Sequence, residues 1–231
     1  MGLKDDLSKA VSGIFQSQWT KRNGDVVPND QSIKLGNEAV ELDATVLYAD
    51  MADSTKLVDS KTKNFAAEIY KTFLHCAAKV IEDQKGVITA YDGDRVMAVF
   101  IEDPKNTSAV KAAMKIKWAV EEIITPAMKN QYPSSTYVLR HVVGIDTSKL
   151  FVAKTGIRGA NDLVWVGRAA NYAAKLSALP ASYTYITQEV YNAMLDEVKV
   201  SSKGVNMWES VTWNTFDNRT IYRSHRRWVI Q

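Results

Sequence analysis

Residues 44–55 read ATVLYADMADST: a short apolar run that ends on Asp50 and turns through Asp53, Ser54 and Thr55. A run of this length bounded by an acid reads as a buried strand. A carboxylate delivered by a strand end can hold a hard cation, and the backbone N–H groups that follow can cradle phosphate oxygens. The plainer alternative is that Asp53 caps the next segment and Asp50 is a solvated turn residue. Residues 90–100, AYDGDRVMAVF, pose the same choice, because Asp92-Gly93-Asp94 is also an ordinary hairpin turn. Taken together the two stretches say more. If strand and hairpin are sheet neighbours, Asp50 and Asp94 face each other at the sheet edge. Two carboxylates so placed can hold two divalent cations and neutralise a departing pyrophosphate.

Outward from these stretches the chain alternates between strand-like and helix-like patterns. Phe65, Ile69, Phe73, Ala77, Val80 and Ile81 recur at helical intervals over residues 63–83, and Gly86 ends that helix. Residues 86–90 and 96–101 read as the two arms of the hairpin, and 108–124 as a second helix ending before Pro126. Residues 137–144, 150–154 and 163–166 are strand-like, 168–179 and 188–195 helical, and 206–213 with 220–229 form a terminal hairpin. Hairpins mixed with packed helices indicate an α+β domain with a largely antiparallel sheet. Before it, Leu7, Val11, Ile14, Phe15 and Trp19 predict an amphipathic helix over residues 4–19, and Gly24, Pro28, Asn29, Asp30 and Gly36 mark residues 21–37 as a linker. Residues 1–36 are therefore assigned to helix and linker and 37–231 to one catalytic domain. The helix has few basic residues on its polar face, so packing on the domain or a partner is preferred to a membrane surface.

Composition narrows the function classes. A formal net charge of +3 in 231 residues gives no reason to expect nucleic acid. No apolar run approaches the ~18 residues of a membrane span, and the single cysteine, Cys76, fits a reducing cytoplasm. His75, His141 and His225 have no zinc-ligand spacing, so a metal here would need oxygen ligands.

A third stretch, VWVGRAANYAAKL at 164–176, sets Asn171 and Lys175 four apart on one helix face. An amide and an ammonium side by side suit a phosphorus centre that gains charge; alone, the pair is an ordinary solvated helix face. With YADMADST, then Gly93-Asp94, then G-x-x-x-N-x-x-x-K at 167–175 in that order, the chain resembles the class III nucleotidyl cyclases over roughly residues 40–225. The resemblance implies a ferredoxin-like βαββαβ core with an additional C-terminal hairpin, working as a head-to-tail homodimer. It implies Mn²⁺ or Mg²⁺ on Asp50 and Asp94, with the Met51 carbonyl as a further ligand. Tyr48 and the turn Ala52, Asp53, Ser54 and Thr55 would meet the substrate, the turn amides holding phosphate. Asn171 and Lys175 would complete the site from the other subunit, and Arg219, at the terminal hairpin tip, would reach the triphosphate.

The departures are informative. Lys175 stands where the family usually has arginine, which loses a planar fork. An extra carboxylate, Asp53, sits in the phosphate turn. Adenylate-forming members carry a lysine and an Asp or Thr that read the purine edge; here the aligned positions are Ala90 and Val164. Without those partners adenine is poorly discriminated, and Tyr91 and Trp165 could narrow the pocket for a smaller base. In this the chain is similar to the bacterial pyrimidine cyclases of Pycsar anti-phage systems. That implies UTP, or less readily CTP, as substrate and a cyclic nucleotide that signals to a separate effector protein. An adenylate cyclase with a divergent pocket and a catalytically inactive nucleotide-binding homologue are the alternatives.

Overall fold

The computed structural model describes residues 2–231. In chain order the elements are α1 (Leu3–Gln16), β1 (Thr20–Asn23), β2 (Glu38–Met51), α2 (Ser54–Ser60), α3 (Lys63–Asp83), β3 (Val87–Asp92) and β4 (Arg95–Phe100). There follow α4 (Lys105–Ala119), a π-helical turn (Val120–Ile124), α5 (Thr125–Gln131), β5 (His141–Ile157), β6 (Ala160–Val166) and α6 (Arg168–Leu176). The chain ends with β7 (Thr184–Thr187), α7 (Gln188–Ala193), α8 (Asp196–Lys199), β8 (Glu209–Trp213) and β9 (Arg219–Ser224).

One sheet runs β3-β4-β2-β5-β7-β9-β8, with β1 beside β2 and β6 beside β5. The stretch β3-β4-β2-β5 is antiparallel throughout and has the strand order of a βαββαβ unit, the expected ferredoxin-like core. Two pairings are parallel, β1 with β2 and β5 with β7. β8 and β9 form the expected terminal hairpin.

The long central strand β2 alternates sides, as its period of two requires. Leu47, Ala49 and Met51 join the core under α3 and α4 with Phe73, Ile81 and Phe100. Val40, Leu42, Ala44 and Val46 face the other way, against Ala169, Ala170 and Ala173 of α6. Small residues on that helix let it lie close. Gly144 of β5 sits beneath its end, and a Cβ there would come 2.2 Å from the Ala173 carbonyl oxygen and 2.5 Å from the Ser177 nitrogen. Helix α3 starts at Thr62, whose side chain accepts the Phe65 N–H. Its apolar stripe, Phe73 fully covered at the centre, buries side chains worth about 1.5–3 kcal/mol each.

Three expectations change. The second helix does not stop before Pro126. The Thr125 N–H and hydroxyl both turn back to the Val120 carbonyl, five residues earlier, and this π-turn absorbs the missing proline donor so that α5 can continue. The strands expected at 137–144 and 150–154 are one strand, β5. Its polar middle is satisfied from afar: buried Asp146 by Thr187 and Arg168, and Thr147 by the Thr45 hydroxyl. Part of the stretch read as a linker is strand β1, and Ile33 within it is buried. Helix α1 is present with none of its residues buried, and the Asn37 side chain donates to the Ile14 carbonyl in its last turn at 2.8 Å. Among the described residues no helix is long and apolar enough to cross a membrane.

Candidate active site

Asp50 is the penultimate residue of β2, on the face shared with Tyr48 and α6, and pairs across the sheet with Arg95. Gly93 takes a left-handed conformation, φ +62°, at the tight turn between β3 and β4, which places Asp94 just beyond it. The two stretches singled out in the sequence are thus sheet neighbours. Burial foremost, and then the negative charge of Asp94, raise the Asp50 carboxyl to about 6 against the opposing pull of Arg95 and the Met51 amide. Two acidic groups crowded in a half-buried setting favour a bound cation. Among the described residues no group of three or more His, Cys, Asp or Glu is arranged to hold a metal ion by itself. Two carboxylates with a backbone carbonyl and substrate phosphates are nevertheless the usual way Mg²⁺ is held, so the donors fit.

Around Asp50 lies a cleft of about 430 Å³ formed by residues 50–53, Arg140, Val142 and the end of α6. Three hollows are larger: two of about 620 and 470 Å³ on the opposite face beside α3, and one of about 540 Å³ beside Asn23 and Lys149; none contains Asp50 or Asp94. Size is a weaker guide here than charged chemistry.

In the turn after Asp50, the Ala52 N–H is donated to the Arg140 carbonyl at 2.9 Å. It is therefore not free for phosphate, contrary to the expectation for Ala52; Ser54 and Thr55 lie in the first turn of α2. Asp53 adopts a left-handed conformation, φ 58°, which Asp tolerates better than most residues. Its carboxylate pairs with the Arg140 guanidinium, so the extra negative charge in the turn has a counter-ion.

Helix α6 is pinned by its first residue. Arg168 donates to buried Asp146 at 3.1 Å and to the Thr147 carbonyl at 2.7 Å, and it also pairs with Glu189. This fixes the direction in which Asn171 and Lys175 project, both exposed. The Lys175 ammonium stands 4.8 Å over the Phe216 ring, and Arg219 covers the same ring at 6.0 Å and Tyr172 at 5.3 Å. Asn171, Lys175 and Arg219 thus gather on one face of the chain, and none lines the cleft around Asp50.

The base-reading positions fall on two faces. Ala90 and Trp165 pack against the cluster that includes Val46 and Met97. Tyr91, next to Ala90 on β3, points to the other side and is exposed, as is Val164 beside Trp165. Tyr91 and Trp165 therefore do not narrow one pocket in the same chain, because neighbouring strand residues alternate faces. Nearer to Asp50, Arg95 lies 5.6 Å over the Tyr48 ring and is held by Asp92 at 2.6 Å. Arg95 and Arg140 were missed from the sequence. Asp92–Arg95 has a legible spacing of three, whereas Arg140 meets Asp53 across 87 residues of chain and leaves no local signal.

No protein-family model matches the chain. A uridylate cyclase of Xanthomonas perforans is 59% identical over 231 residues, covering 100% of both chains. A uridylate cyclase of Burkholderia cepacia is 50% identical over 232 residues, again covering 100% of each. Among solved structures, the adenylyl cyclase CyaB from P. aeruginosa matches with a TM-score of 0.65 at 20% identity, over 81% of this chain and 95% of that one. At that identity the likeness concerns the fold.

Proposed function

The chain belongs to the uridylate cyclases within the class III nucleotidyl cyclases, and on that premise we propose that it converts UTP to 3′,5′-cyclic UMP and pyrophosphate at a site shared by two copies of the chain. The observation that carries this reading is the meeting of Asp50 and Asp94 where β2 ends against the β3–β4 hairpin, beside a cleft of about 430 Å³. Mn²⁺ or Mg²⁺ held by Asp50, Asp94 and the Met51 carbonyl would supply charge neutralisation at the α-phosphorus and the leaving group.

The chain's own residues do the positioning. Ser54 and Thr55 meet the phosphates at the start of α2. Asn171 orients the ribose and Lys175 takes up charge as the 3′-oxygen bonds to the α-phosphorus and the bond to the pyrophosphate oxygen breaks. Because Asn171, Lys175 and Arg219 do not line the cleft around Asp50 in their own chain, they serve the site of a second copy, and a two-fold axis then gives two equivalent sites. The Ala90 and Val164 side chains offer no hydrogen bond to a purine edge, which favours a pyrimidine. Release of the cyclic nucleotide as a messenger to a separate effector in anti-phage defence completes the proposal.

The test is turnover of each of the four nucleoside triphosphates with Mn²⁺ and identification of the products. Cyclic UMP is expected to dominate; dominant cyclic AMP would overturn the pyrimidine assignment, and no cyclic product the enzyme reading.

A further inference from the structure

Asp53 places a carboxylate in the cleft that must receive a polyanion, and Arg140 is its partner. Both side chains are about half exposed, 43% and 51%, and an ion pair in that setting is weak and readily exchanged. A phosphate offers the guanidinium a planar, two-point contact with more charge than one carboxylate. The Arg140 backbone is fixed, because its carbonyl accepts the Ala52 N–H beside Asp50, so only its side chain needs to turn.

A second observation concerns Tyr137. Its hydroxyl is inaccessible to solvent and has no hydrogen-bond partner. Buried hydroxyls are seldom left so. It lies within electrostatic reach of Tyr70, Asp53, Arg140 and Asp94. A carboxylate released by Arg140 is the acceptor this hydroxyl lacks.

We propose that Arg140 binds the pyrophosphate end of the substrate, that Asp53 is its exchangeable counter-ion, and that the Tyr137 hydroxyl receives Asp53 when Arg140 leaves it. Asp53 then competes with pyrophosphate for Arg140. It weakens product retention and so hastens turnover, at the expense of substrate affinity. No bond is made or broken in the exchange. The inference rests on the cleft being a triphosphate site but not on the identity of the base.

Calorimetric titration of the full chain with pyrophosphate and Mn²⁺ tests it, since that probe carries neither base nor ribose. Asp53→Asn keeps the shape and tolerates the left-handed backbone; it should bind pyrophosphate several-fold more tightly and lower KM for the triphosphate. Arg140→Gln should weaken binding about tenfold, the scale of one charge-assisted contact, with Arg140→Lys recovering part of the loss. Tyr137→Phe should weaken binding in the wild-type background and have no effect on Asp53→Gly, while leaving the thermal stability of the free protein unchanged or higher. Weaker binding by Asp53→Asn and Arg140→Gln alike would make the pair a structural tie of the turn and overturn the proposal. So would wild-type protein that does not bind pyrophosphate. If pyrophosphate binds as expected but UTP is not cyclised, only the substrate reading fails.

Discussion

At Asp50, burial and the Asp94 charge push in the same direction, and a carboxyl raised to about 6 links function to stability. A folded-state value above the ordinary 3.8 means that Asp50 favours folding below about pH 4 and loses that contribution as pH rises through 6. Two units correspond to about 3 kcal/mol, and partial exposure reduces this to about 1–2 kcal/mol. Asp50→Asn is therefore expected to raise the melting temperature of cation-free protein at pH 8 and to leave it unchanged at pH 4, while abolishing cyclisation. Thermal melts at both pH values check the first part; an equal shift at both would contradict the linkage. Cation binding needs the ionised carboxylate, so wild-type activity should fall as pH drops through 6. Asp50 and Asp94 were legible because each sits in a short motif whose strand or turn is written locally. Arg140 was not, since nothing within ten residues of either partner announces a contact between positions 53 and 140.

Among the elements, α6 depends on two contacts that the helical spacing of Asn171 and Lys175 does not reveal. The first is the Arg168 anchor. The Asp146 side chain is fully buried, and Arg168→Met leaves its carboxylate with Thr187 alone as side-chain partner. Removing one partner of a buried pair costs about 3 kcal/mol, and urea unfolding should show a loss of that order together with a lower kcat. The second is Gly144. An added Cβ meets backbone atoms of α6, which cannot move as a flexible side chain can. Gly144→Ala is expected to cost at least 1–3 kcal/mol, the usual scale of overpacking, and to displace Asn171 and Lys175; unchanged stability would show that α6 sits further from β5. The same distant partners explain why β5 was read as two strands. Asp146 to Lys149 look like a loop in sequence, and become strand only because Thr45, Arg168 and Thr187 satisfy the polar side chains at Asp146 and Thr147. The π-turn at Val120–Ile124 was illegible for a related reason: a proline signals a stop, and the carbonyl that takes the N–H of the preceding Thr125 lies five residues before that threonine.

For the whole molecule, strand order was within reach through the class III cyclase resemblance, and the face that α3 buries through its apolar stripe. How the two groups of site residues meet was not, since none of Asn171, Lys175 and Arg219 lines the cleft around Asp50. The central claim is that these groups serve one site across two chains. Mixing Asp50→Asn protein with Lys175→Ala protein, each inactive alone, tests it most directly. Random pairing leaves half of the dimers mixed with one intact site each, so cyclic UMP production from UTP should return to roughly a quarter of the wild-type rate. No recovery on mixing, with both variants folded and able to pair, would contradict a shared site.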